Sequence, residues 1–464
     1  MLQQQNSNIN GLEQSLKNQD KQLSELEKIQ KSGKEKDNLE FKDQQKINDF
    51  INRQKQQDAM MKEFSEKMKE NLDKFKSDKK DEFKEELQKR LEKNNQDIEK
   101  NKKLLDELKE LTDKIKNEEL MEKLDQFKQT SKNQTKNLEQ LVELTKRYYV
   151  SKKAEQIADK LEELSKKQDK LAENEKENSF EKQNEINKEF DKIQEDLKDL
   201  QKENKELKSP MEIPSDAEKE KSIDEDLKKA TEELQKDKKD KAKPKQKSAA
   251  QKMQQMSAKM QQSMQQDEME QMDEDVKMLR QILDNLLAYS FSQEDIMKQF
   301  KGLKRGSPSF NKNLKIQQNL KQQFKHVDDS LFAMSLRNPK FSESITQEVG
   351  NVHYNIDKAI DDLVEAQVAK GTSHQQYAVT SANRLADFLS DLLNNMQMQM
   401  SGSGMGKPKP GQGQGMQLPD IIQKQEGLGE KMKKAMKKGN KPGEGEKPGE
   451  SSSEGQGQGE KRTK

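Results

Sequence analysis

The sequence predicts an all-α chain built from long helices, and three observations carry that prediction. Helix breakers are withheld over most of the length: no Gly occurs between Gly33 and Gly302, and no Pro before Pro210. Apolar residues recur at alternating steps of three and four, the spacing of one helix face. Hydrophobic residues make up 28% of the chain and charged residues 38%, a balance that suits surface-rich helices better than large globular cores. Four regions are expected. Residues 1–208 form charged coiled-coil helices or helical hairpins. Residues 209–247 form a Pro/Lys-rich linker with weak helix. Residues 248–400 hold a Met/Gln-rich helix leading into a small up-down four-helix bundle. Residues 401–464 form a disordered Gly/Gln-rich tail.

The first region shows several heptad frames. Leu2, Ile9, Leu12, Leu16, Leu23 and Leu26 share one, and Leu104, Leu108, Leu111 and Ile115 share another. Ile157, Leu161, Leu164 and Leu171 continue the pattern. The most regular run is Ile186, Phe190, Ile193, Leu197, Leu200, Asn204 and Leu207, with steps of 4-3-4-3-4-3. Such a seam faces partner helices. Its one polar position, Asn204, reads either as a register-fixing residue or as a frayed end. Polar stretches at 30–38, 76–81, 129–137 and 173–179 are expected to break the region into helices that fold back as hairpins.

Two prolines in "SPMEIPSD" close the first region. After a weak helical pattern, "KDKKDKAKPKQK" (Lys236–Lys247) carries seven Lys, two Asp and one Pro, and reads as a solvated linker. The bundle that follows has frames at Met272–Leu286, Leu320–Met334, Ile345–Leu363 and Ala378–Met396. Breakers separate them at Gly302, Gly306 and Pro308, at Pro339 and at Gly371. Ser292 reads as a helix start, and Gly371 as the residue just past a helix end. Fifteen of the 21 Gly follow Met400, so the last segment cannot form a packed core. Within it, 418–438 has the pattern of one short amphipathic helix.

Composition excludes several function classes. With 88 basic and 87 acidic residues interspersed, no net field draws the chain to nucleic acid or anionic lipid. The absence of Cys removes disulfides, thiolate metal sites and Cys nucleophiles. No apolar run reaches the roughly 20 residues of a membrane span. "MLQQQNSNIN" lacks the basic-then-apolar pattern of a secretion signal.

Among candidate chemistry, Met253, Met256, Met260 and Met264 form the clearest stripe, at steps of three, four and four. Thioethers suit Cu(I) or a groove for a variable hydrophobic helix, but no His or Cys lies nearby to complete a metal site. The bland reading is that the stripe is one buried helix face, and the sharper one that it binds a partner helix. His326, His353 and His374 have no i+3 or i+4 partner of the zinc-protease kind. "GSGMGKP" has Pro408 where a phosphate loop needs Ser or Thr, and no strand precedes it. No catalytic, cofactor or metal residues emerge.

The order of segments resembles a known family. "EQIADKLEELSKKQDKLAENE" and "KQNEINKEFDKIQEDLKDLQKENKEL" lead into the Met/Gln helix, then "DEDVKMLRQILDNLLAYSFSQEDIM", then a Gly/Gln tail. This layout resembles the C-terminal half of bacterial domain-of-unknown-function family 4175, most specifically over 273–400. The resemblance implies a cell-envelope setting, with membrane helices in a missing N-terminal part, and carries no activity or site residues. The expected function is a non-enzymatic scaffold acting by helix–helix association, with protein partners or self-association through its seams. Neither a small-molecule substrate, a cofactor nor a specific nucleic acid is expected. A cytoplasmic bridging factor and a chaperone-like module using the Met stripe are the alternatives.

Overall fold

The computed structural model describes residues 2–34, 40–74, 81–113, 117–303 and 306–402. Among the described residues there are ten helices and no strand. They are α1 (Leu2–Lys34), α2 (Phe41–Lys74), α3 (Glu82–Asp113), α4 (Asn117–Glu173), α5 (Phe180–Lys205), α6 (Ala217–Gln235), α7 (Lys239–Phe300), α8 (Pro308–Ser335), α9 (Glu343–Val364) and α10 (Val368–Gly402). The tail, with its expected helix over 418–438, lies outside the described residues, as does Ile115.

Each helix packs on its neighbour in sequence, and the ring closes after every fourth: α1 on α4, α4 on α7, α7 on α10. The chain is therefore three up-and-down bundles in tandem, α1–α4, α4–α7 and α7–α10, in which α4 and α7 each serve twice. Their 57 and 62 residues correspond to roughly 85 and 93 Å at about 1.5 Å per residue. The two run antiparallel in the middle bundle. Ser165 Oγ donates to the Ala250 carbonyl at 2.8 Å, and further down Arg147 meets Gln271 at 2.9 Å. Since α4 enters and α7 leaves the middle bundle at the same end, the outer bundles lie side by side and touch through α4 and α9.

Apolar helix faces fill the cores, although in the expected frame at 104–115 Leu104 and Leu111 are only partly buried and Leu105 joins Leu108 in the core. In the first bundle, Leu26, Phe50, Leu105 and Phe127 share one buried cluster, with Phe50 edge-on to Phe127 at 5.7 Å. The middle core joins Ala154 and Leu161 of α4 to Phe190 and Leu200 of α5, Leu227 of α6 and the Met stripe of α7. In the third, Tyr289 packs on Phe324 at 5.3 Å, and Phe300 meets Phe310 edge-on at the same separation.

Every bundle also contains one buried amide layer. Gln19 and Asn101 both donate to Gln134 in the first. In the second, Gln168 and Gln183 exchange bonds of 3.0 and 2.8 Å, and Gln246 bonds both Gln183 and Asn178. Gln293 and Gln317 exchange bonds of 2.7 and 2.8 Å in the third, where Gln375 joins them. An amide inside a core must find amide partners, because an unpaired one costs about 1–3 kcal/mol.

Several local expectations need correction. The polar stretch 129–137 does not break a helix: α4 runs through it, with Ser131 and Gln134 buried. The lysines of 239–247 are the opening turns of α7 rather than a linker. Lys245 pairs with Asp226 at 3.5 Å, and Lys247 pairs with Glu173 at 3.2 Å. Pro244 is carried inside the helix. The boundary expected at 248 thus falls within α7, and the Met stripe belongs to the middle bundle, not to the four-helix bundle after it. Ser292 lies inside α7. Gly371 lies inside α10, where a Cβ would press on Leu363, while Ala366, at φ 62, makes the left-handed turn. Asn204 exchanges bonds of 2.8 and 2.9 Å with the Met211 backbone, so it clips the α5–α6 connection instead of fixing a seam. As expected, helices end near 173, with Ser179 capping α5, and Gly302, Gly306 and Pro308 separate α7 from α8.

The amide layer of the middle bundle is testable. Gln168→Leu and Gln183→Leu should each lower stability by about 1–3 kcal/mol. In a double-mutant cycle followed by urea unfolding they should couple by roughly 1 kcal/mol or more. Strict additivity would mean that the two amides are not bonded.

Candidate functional site

The place where the three bundles meet concentrates the buried charge of the molecule. Six segments converge there: the start of α3, the middle of α4, the α5–α6 connection, the middle of α7, the α8–α9 connection and the end of α10. They line a half-open cavity of about 300 Å³.

Arg147 enters from α4 and is buried. It donates to the Ser209 carbonyl at 2.7 Å and to Gln271 at 2.9 Å, with Asp267 at 3.6 Å. Arg337 comes from the α8–α9 connection. Its Nη2 and Nε both reach Asp275 Oδ1, at 2.7 and 3.1 Å, and its Nη1 reaches Glu274 at 3.3 Å. Asn338 donates to the other Asp275 oxygen at 3.0 Å. Burial raises the Asp275 carboxyl above its ordinary range, while Asn338 and Arg337 act against the rise. On the far wall, the Tyr148 hydroxyl donates to Asp81 at 3.0 Å, and Lys152 bridges Asp81 and Glu155 at 3.1 and 2.9 Å. The Lys152 ammonium also sits 5.6 Å from the centre of the Tyr148 ring. Burial pulls the Lys340 ammonium below its usual value; this lysine donates to Gln399.

One wall group differs from these. Glu268 lines the cavity at its open side, where its side chain is exposed. Partial burial first, and then the neighbouring Glu155 and Asp267 carboxylates, push its carboxyl upward, while the Lys152 and Arg147 cations act against the rise. The apolar part of the wall comes from Phe83, Met211, Met272 and Met396.

Beside the cavity, the outer bundles are held together by polar contacts. Lys136 of α4 and His353 of α9 both meet Asp328 of α8, at 2.7 and 2.9 Å. Gln140 donates to Thr346 at 3.3 Å. Gly350 on α9 faces Asn133 and Gln129 of α4, where a Cβ would collide with both side chains, so the missing side chain permits the close crossing. Arg90 of α3 is buried, donates to the Pro339 carbonyl at 3.2 Å, and is pulled down to about 10 by burial. Its Nη2 has no partner, and neither does Oε2 of Glu343. Burial, followed by Asp97, raises Glu343 to about 7.

Met253, Met256, Met260 and Met264 are all buried, at 0%, 9%, 2% and 8% exposure. They share a core with Ala154 and Ala158 of α4, where flexible thioethers fill the space left by small residues. Covered by the chain's own helices, they present no open groove here. His326 is exposed, and His374 bonds Asn355 at 2.9 Å. Among the described residues no group of His, Cys, Asp or Glu has the arrangement of a metal site, and no helix is long and apolar enough to cross a membrane.

None of the charged cavity residues lay in a motif. One signal was available: of the 88 basic residues only eight are Arg, and Arg90, Arg147 and Arg337 all lie at the junction. Arg is the cation suited to buried, forked pairing. No known protein family, curated protein or solved structure matches the chain.

Two measurements probe this region. Arg337→Ala should cost about 3–5 kcal/mol, because Asp275 would be left buried without its cation; urea unfolding reads the loss. Glu343 binds its proton more tightly folded than unfolded. Its contribution should therefore make stability fall as pH rises from about 4.5 to about 7, by at most about 1.4 kcal/mol per unit, and level off above. Glu343→Gln should flatten that segment of the stability profile. An unchanged slope would place the titration elsewhere.

Proposed function

We propose that the chain is a non-enzymatic interaction scaffold that presents helical surfaces in a fixed mutual arrangement. The observation that supports this reading is the double use of α4 and α7. A continuous helix passing from one bundle into the next transmits orientation, whereas a flexible connection would lose it. The outer faces carry Lys–Glu and Lys–Asp pairs such as Lys62–Glu99 and Lys160–Asp196. Exposed pairs of this kind contribute little to stability and leave the surface free to be read by partners. The seams on which self-association would depend, Ile186–Leu207 among them, are covered within one chain, so partners would meet the outer faces. The cell-envelope setting rests on the resemblance to family 4175.

Photo-crosslinking in the source cells tests the proposal. Probes at the exposed positions Gln56 on α2 and Lys325 on α8 should capture discrete protein neighbours, recoverable together in one complex. Inserting two glycines after Gln265 uncouples the third bundle and should abolish joint recovery. Absence of neighbours at both positions, or joint recovery unaffected by the insertion, would overturn the scaffold reading.

A further inference from the structure

The first bundle carries a polar layer that its own side chains do not complete. The layer separates two apolar clusters, one containing Leu12, Met61 and Ile98 and the other Leu26, Ile51 and Leu105. Between them in sequence lie Ser15 and Gln19 of α1, Asp58 of α2, Asn101 of α3, and Ser131 and Gln134 of α4, each at most 4% exposed. Gln19 and Asn101 meet on Gln134, which puts α1, α3 and α4 at one level. Gln57 donates to the Ser15 carbonyl at 2.7 Å, which sets Asp58 beside α1 at that level.

Six side-chain atoms of this layer have no hydrogen-bond partner among the described residues: Ser15 Oγ, Gln19 Oε1, Asp58 Oδ2, Asn101 Oδ1, Ser131 Oγ and Gln134 Nε2. Five of the six are oxygens. Turning the Gln134 amide does not help, because its oxygen already accepts from both Gln19 and Asn101. Turning the two hydroxyls could satisfy neutral oxygens but would not neutralise Asp58. That carboxylate takes one bond, from Gln54 at 2.9 Å. Burial raises its proton affinity, Gln54 acts against the rise, and no charged group of the four helices contributes. The neighbouring lysines on α2, Lys55 and Lys62, are paired with Asp106 and Glu99. A buried carboxylate without a cation is costly, so the layer calls for one positive charge held by neutral oxygens.

That donor set fits an alkali-metal ion. Calcium sites gain affinity from several carboxylates, whereas a single carboxylate balances a single charge. Soft and borderline metals call for thiolate or imidazole, and the layer has neither. Neutral oxygens in place of a hydration shell are how alkali ions are held. Ser15 and Ser131 also stand where the same helix faces elsewhere carry Leu, Ile or Phe, so the layer is less filled than its neighbours. We infer that the polar layer of the first bundle binds one alkali-metal ion, held by Asp58 Oδ2 together with the amide oxygens of Gln19 and Asn101. The ion would tie α1, α2 and α3 at the level where apolar contact is interrupted.

Hydrogen–deuterium exchange of the full chain tests this at about pH 8, where a carboxyl raised to about 7 is ionised. Amides of α2 from Gln54 to Met61 should exchange roughly threefold more slowly, or slower still, in sodium or potassium chloride than in choline chloride of equal ionic strength, because binding opposes local opening. Amides around Gln183 in the middle bundle, whose layer is bonded, should not respond. At about pH 6 the proton should hold the carboxylate, and the difference between salts should shrink. Asp58→Asn, which keeps the shape and removes the charge, should abolish it. The comparison of salts on the wild-type chain decides the matter even if that variant folds poorly. Equal exchange in all three salts would leave the layer to water or a proton and overturn the proposal. So would an equal response around Gln183, which marks a general salt effect, or a response that survives in folded Asp58→Asn.

Discussion

Everything in this structure depends on two helices that do not stop. α4 and α7 each bury one stretch in an outer bundle and another in the middle bundle. No Gly or Pro interrupts α4, and none falls between Pro244 and Gly302 in α7. A break in either would separate two cores that now share a spine. Because the two spines are antiparallel, their exits lie together. That geometry brings the outer bundles side by side and creates the junction where the buried arginines collect.

The cores themselves are thin, as a chain with 28% hydrophobic residues requires. A four-helix ring needs only a narrow apolar stripe from each helix, and sharing two helices lets ten do the work of twelve. Apolar stripes alone specify position poorly, since one heptad resembles the next. Gln and Asn layers narrow the choice. Shifting α5 by one turn against α4 would part Gln168 from Gln183 and leave buried amides unpaired, a cost the neighbouring leucines would not impose. The first bundle is less completely satisfied, with Gln19 Oε1, Asn101 Oδ1 and Gln134 Nε2 lacking partners.

Helix class, folding back and most bundle frames were legible because 3/4 spacing reports which face is buried. The four frames of the third bundle correspond to α7, α8, α9 and α10. What the sequence hid was how helices are divided among bundles. Residues 129–137 look like a loop because polarity normally signals exposure. Here Ser131 and Gln134 are polar and buried, and for Gln134 only its partners Gln19 and Asn101, elsewhere in the chain, reveal why. Lys239–Lys247 misled in the same way, since its lysines are matched by Asp226, Glu173 and the Glu175 carbonyl, far away in sequence. The Met stripe was readable as a buried face, yet its facing helix was not, because Ala154 and Ala158 carry no strong periodic signal. The junction was least legible of all. Its charges come from separate elements, and only the scarcity of Arg set them apart.

The contrast between the cores and the junction bears on how such a molecule moves. Within each bundle the contacts are mainly apolar, joined by one layer of buried, hydrogen-bonded amides. Between the outer bundles they include ion pairs and hydrogen bonds: Lys136–Asp328–His353, Gln140–Thr346, and Lys358–Asp125 at 2.7 Å. Water can replace such contacts at modest cost, so this interface is where relative motion is least opposed. At the meeting point itself the ties are made by arginine: Arg147 joins α4 to α7 and to the Ser209 carbonyl, and Arg337 joins the α8–α9 connection to α7.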